Sequence, residues 1–193
     1  EIGECGTTEI TGCWGSRKDA EATMVADLLT SDSELFIAGA CLNTLRDILA
    51  LPEVVAHVAE RVLAPGEFKL TFMLVASTAQ YPSAEAGREG LETNIASGHR
   101  VIQRFHKELM ERAGDSTTRE LEVMTYGSKS WPRHFLLKAD GTIYVGSYLC
   151  HEEGSYSYLL RLSNHGARES LYSLFAREID YLRQDGQKLD ICG

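Results

Sequence analysis

Apolar residues run along this chain in two rhythms. Short continuous or alternating runs, of the kind that fill half-buried or buried strands, lie at 34–39 (ELFIAG), 68–77 (FKLTFMLVAS), 119–126 (RELEVMTY), 134–138 (HFLLK), 142–149 (TIYVGSYL) and 156–163 (YSYLLRLS). Between them, apolar residues recur at helical spacing. Ala22, Val25, Ala26 and Leu29 predict a helix over 19–30. Ile95, Ile102, Phe105 and Leu109 predict a long one over 91–113, and Leu171, Leu174, Phe175, Ile179 and Leu182 predict a last one within 166–183. Two further helices are expected at 45–51, capped by Asn43 or Thr44, and at 53–63, divided by Pro52 and stopped by Pro65-Gly66. Asp140-Gly141 joins two of the strand runs as a tight hairpin. Residues 1–18 begin Gly- and Thr-rich without a period and are expected to form a strap or linker remnant ahead of one domain at 19–193. Alternating helices and strands followed by a strand meander imply an α/β domain, with a mixed sheet carrying helices on both faces.

Composition narrows the function. Of 193 residues, 44% are apolar and 24% charged, an ordinary balance for a folded globular domain. Nineteen Lys and Arg face twenty-eight Asp and Glu, a net charge of −9. That argues against nucleic acid as a partner, because duplex binding needs a basic face. No apolar run is long enough to span a bilayer, and residues 1–12 lack a basic start followed by an apolar core, so neither a membrane span nor a signal peptide is expected. The five Cys are odd in number, irregularly spaced and without a CxxC pair. Free thiols in the cytoplasm are the simplest reading, with no metal or other cofactor. Cys150-His151-Glu152-Glu153 is a local cluster that could serve a metal or a nucleophile, but without ligand spacing a simple turn is the plainer explanation.

The segment Arg133-His134-Phe-Leu-Leu-Lys138-Ala-Asp140-Gly141, followed by Tyr-Val-Gly146-Ser147, resembles one half of the phospholipase D-like superfamily, over about residues 20–185. The resemblance implies an α/β/α sandwich. It also implies a signature of His, Lys two residues on, Asp five after that, then Gly-Ser, in which the His attacks phosphorus and the Lys and small polar groups hold phosphate oxygens. Here the signature is degenerate. Anchored on His134, Leu136 stands at the Lys position and Gly141 at the Asp position. Anchored on Asp140, Arg133 and Phe135 stand where His and Lys belong. Lys138 shares a strand face with His134 but sits about 6–7 Å too far along. With one motif instead of two, a complete site would require two chains paired across a symmetric interface.

Two functions stay open. One is a ligand-sensing or partner-docking module of a larger bacterial-type regulator or effector, holding a small anionic or phosphate-containing ligand. The other is a homodimeric phosphodiesterase or nuclease with His134, Lys138, Asp140 and Ser147 as catalytic residues. Arg133 has the planar fork suited to a phosphate or carboxylate, though a solvated loop arginine looks the same in sequence. Gly146 could leave room for an anion or for close packing. Asn43 and Ser77 follow central strands, where open α/β sheets hold ligands. Tyr148, with Tyr144, Tyr156 and Tyr158, could line an aromatic pocket or simply cover the sheet, and His151 completes the candidate ligand-binding set. Arg100, Arg104 and Lys107 form a basic stripe on the long helix, which usually marks a solvated face.

Overall fold

The computed structural model describes residues 9–40, 42–64, 66–76, 91–113, 121–126, 132–147 and 157–189. In chain order the elements are β1 (Ile10–Trp14), α1 (Glu21–Leu29), β2 (Glu34–Ala38), α2 (Asn43–Ile48), α3 (Pro52–Leu63), β3 (Lys69–Leu74), α4 (Leu91–Ala113), β4 (Leu121–Thr125), β5 (His134–Ala139), β6 (Thr142–Ser147), β7 (Leu159–Ser163), α5 (Leu171–Asp185) and β8 (Gln187–Lys188). The strands form one sheet in the order β1-β7-β6-β5-β2-β3-β4-β8. β2, β3 and β4 run parallel; β5 turns the direction by pairing antiparallel with β2, and every other pairing is antiparallel. The sheet is mixed and helices cover both faces, as the apolar rhythms imply.

Continuous apolar runs mark the strands buried on both sides. In β2, Leu35 and Ile37 join Phe72, Val123 and Leu137 on one face, under Met24 of α1, Val55 and Val58 of α3, and Ile102 and Phe105 of α4. The rings of Phe72 and Phe105 meet edge to face at 5.8 Å. Phe36 and Ala38 point the other way and join Met73, Met124, Leu136, Ile143 and Val145 beneath Tyr172, Ile179 and Leu182 of α5. Ser170 caps α5 reciprocally: its hydroxyl accepts from the Ser173 amide at 3.0 Å, while Ser173 Oγ accepts from the Ser170 amide.

Two strands have no signal in the apolar pattern. Ile10–Trp14, within the expected strap, is an edge strand paired antiparallel with β7, so this stretch is part of the sheet. Its order comes from tertiary contacts: Trp14 packs its ring on the Tyr144 ring at 6.2 Å and folds back over Gly12, where a Cβ would lie 2.3 Å from the indole. Gln187–Lys188 closes the opposite edge through two register partners on β4.

The β5–β6 hairpin turns at Asp140, whose φ of 47° lies in the left-handed region that Asp tolerates better than most side chains. Its carboxylate accepts hydrogen bonds from the backbone amides of Asp32 (2.8 Å), Ser33 (3.0 Å) and Glu34 (2.8 Å), and from Ser33 Oγ at 2.6 Å. Burial pulls this carboxyl upward, but the Ser33 hydroxyl and the three amides outweigh it, and the net shift is downward. The turn thereby fixes the start of the central strand.

Candidate functional site

His134 opens β5 directly opposite Ser147, the last residue of β6. Because β5 is antiparallel to β2, with Leu136 opposite Ala38, His134 stands at the end of the sheet where β2 and its parallel neighbours finish. That is where an α/β sheet offers its crevice. The His134 ring packs edge-on against Phe175 of α5 at 5.6 Å. Its Nδ1 lies 3.5 Å from Ser147 Oγ, the long limit of a hydrogen bond, and Ser147 Oγ is 3.0 Å from the Tyr158 hydroxyl. Burial lowers the His134 pKa, Glu178 partly opposes it and Arg133 adds a smaller push downward, so the fold favours the neutral imidazole. The trio can accept or donate hydrogen bonds to a polar ligand, with half-exposed Tyr158 as an aromatic wall.

The structure does not gather the other two expected catalytic residues here. Lys138 lies four residues further along β5, about 13 Å away, and its ammonium pairs with Glu34, which also receives Arg183 of α5. Burial pulls the Glu34 carboxyl upward, but hydrogen bonds from Lys138 and Arg183 dominate and hold it below its ordinary value. Asp140 is beyond Lys138 again, its oxygens engaged by the start of β2. Arg133 is exposed just ahead of β5 and makes no ion pair among the described residues. Asn43 begins α2 beyond the end of β2, with its side chain outside the described residues; Ser77, Tyr148 and His151 lie outside them altogether, as does the Cys150 cluster.

Gly146 has a different role from leaving room for an anion. A Cβ there would lie 3.2 Å from Arg17 Nε, Leu159 Cδ1 and the Tyr158 carbonyl oxygen. The space belongs to Arg17 and to the close approach of β7. Arg17 is 3% exposed, its guanidinium sits 4.6 Å over the Phe135 ring, and Nη2 reaches Ser157 Oγ at 3.3 Å. Sequence reading passes over this buried cation, because a Gly-Ser-Arg-Lys loop reads as solvated; the glycine opposite it was the available clue. Tyr144 is core: its ring is fully buried, and its hydroxyl donates to Asp27, which Arg161 grips through Nε at 2.8 Å and Nη2 at 3.0 Å. On α4, Arg104 and Lys107 face Glu108 and Glu111 one turn on, at 3.7 and 3.8 Å, the pattern of a solvated helix face.

Together, the sheet order, the helices on both faces and the β5–β6 hairpin at its centre define an α/β domain with a mixed sheet, the architecture that the phospholipase D-like resemblance implies. Three solved structures carry the likeness. Phosphatidylserine synthase of Haemophilus influenzae Rd KW20 matches with a TM-score of 0.57 and 14% identity, over 92% of this chain and 39% of the synthase. TrmBL2, an archaeal chromatin protein, matches with a TM-score of 0.55 and 12% identity, over 96% of this chain and 56% of its own. NucT from Helicobacter pylori matches with a TM-score of 0.51 and 10% identity, over 90% of this chain and 92% of its own. The chain thus spans about half or less of the first two, and at these identities the likeness is one of fold. No protein-family model and no curated protein sequence matches the chain. Among the described residues, no helix is long and apolar enough to cross a membrane.

Proposed function

We propose that this chain is a phospholipase D-like domain that has lost phosphodiester chemistry and holds a small phosphate-containing or other anionic ligand at the His134 end of the sheet. The observation that supports this most is the commitment of Lys138 to Glu34 and of Asp140 to the start of β2. Phosphoryl transfer needs cations placed on the transferring oxygens, and among the described residues Arg133, itself exposed, is the one cation beside His134. On this reading His134, Ser147 and Tyr158 orient the ligand and Arg133 supplies charge. The domain then works as a homodimer or as one module of a larger cytoplasmic regulator, much as the fold occupies 56% of TrmBL2. The DNA binding described for TrmBL2 is not carried over, given a net charge of −9 and a long helix on which Arg104 and Lys107 are paired with carboxylates one turn on.

A second reading, a phosphodiesterase or nuclease, draws on His134 beside Ser147, with a pKa that burial lowers, and on the fold shared with NucT. In it His134 attacks phosphorus while Arg133 and a second chain supply the charge. Hydrolysis of bis-(p-nitrophenyl) phosphate and of single-stranded DNA separates the two. The binding reading expects no turnover from the wild type or from His134→Ala; turnover lost in His134→Ala establishes the enzyme.

A further inference from the structure

At the opposite end of the sheet from His134, a groove of about 510 Å³ opens between the starts of β3 and β4, β8 and the last turn of α5. Three cations line it, Lys69, Arg183 and Lys188, against a single carboxylate, Glu122. Glu122 is matched by Lys188 at 2.8 Å, and Arg183 is held from behind by Glu34 while its guanidinium lies 4.9 Å over the Phe36 ring. Cross-strand pairing of this kind is common on sheet surfaces and by itself needs no ligand. Two donors are left over. Lys69 makes no ion pair among the described residues. Thr71, two residues on and therefore on the same strand face, is only 4% exposed, and its hydroxyl makes no hydrogen bond among the described residues. The hydroxyl lines the groove, where a ligand atom can reach it.

We propose that this groove binds a compact oxyanion, the carboxylate or phosphate of a small organic molecule. Thr71 Oγ1 donates from the floor, Lys69 and Lys188 supply charge from the rim, and Arg183, fixed by Glu34, presents its remaining N–H groups. The two sources share the anionic oxygens and differ in charge, which separate titrations distinguish. The site is independent of whatever occupies the His134 end.

The test is titration of the full chain with inorganic phosphate, and separately with acetate, at constant ionic strength, followed by calorimetry and by the backbone amide signals of β3. The expected result is saturable binding with shifts centred on Lys69–Thr71. Affinity should fall about tenfold in Lys69→Ala and in Thr71→Val, equivalent to about 1.4 kcal/mol each, with Thr71→Ser retaining binding. Tighter phosphate than acetate assigns the dianionic class; the reverse assigns the carboxylate. Absence of saturable binding of either anion overturns the proposal. So does wild-type affinity in both folded Lys69→Ala and folded Thr71→Val.

Discussion

The two ends of the β5–β6 hairpin differ in how completely their polar groups are used. At the turn end, Asp140 accepts four hydrogen bonds, and Lys138 and Arg183 converge on Glu34. At the open end, His134 and Ser147 meet only at 3.5 Å, and Arg133 is exposed. The same ladder carries both, so residues that read as one motif along the chain divide into a fastening and, on the reading proposed above, a recognition surface. Saturated groups hold the central strand in register; unsaturated ones at a sheet end are available to a ligand.

The sharpest way to break the contrast is at the turn. Asp140→Ala removes the acceptors for three backbone amides and places Ala at a φ of 47°. We expect a loss of about 2–3 kcal/mol of stability in denaturant unfolding, with Asp140→Asn losing less because Asn keeps one acceptor and tolerates this backbone. Next is Gly146→Ala. Its methyl must displace Arg17 or the β7 backbone, and we expect a loss of about 1–2 kcal/mol with the change seen in Phe135 and Leu159 signals. A gain of stability there would mean that the space is free for a ligand after all.

The pH dependence sharpens the comparison with a smaller effect. Glu34 and Asp140 have folded pKa values below their ordinary ones, so their stabilisation is full above the ordinary carboxyl range and fades as pH falls through it. His134 is also lowered, but as a base: its neutral form is favoured on folding, so acidification below the ordinary histidine value of about 6.5 protonates the unfolded state first and takes stability away. His106, lowered by burial, adds to the same window. Unfolding midpoints between pH 7 and 5 should therefore fall in the wild type and fall less steeply in His134→Gln, while the steeper loss below pH 5 persists in both.

Much of the fold was legible because it rests on apolar period. The 91–113 helix has the bounds its Ile95–Leu109 stripe implies, and the hairpin at Asp140-Gly141 pairs as its alternation suggests. β1 was not legible, since its order comes from β7, almost 150 residues away in sequence, and from Trp14 covering Gly12. The sequence pointed to the proposed site at Arg133, at His134 and Ser147, which face each other across one rung, and at Tyr158 as a possible pocket wall. Lys138 and Asp140 were read by spacing along the chain, whereas the partners that fix their use, Glu34 and Ser33, come from another strand about 100 residues earlier. Arg17 was hidden for the same reason: only the packing of β6 and β7 buries it.

The most direct test of the division between the two ends is Lys138→Met, compared with the wild type for denaturant stability and for hydrolysis and binding of bis-(p-nitrophenyl) phosphate. If Lys138 belongs to the fastening, stability falls by about 1–2 kcal/mol because Glu34 keeps only Arg183, while phosphodiester binding and turnover do not change. Unchanged stability together with lost binding or turnover would contradict the account, and would return Lys138 to the site of His134.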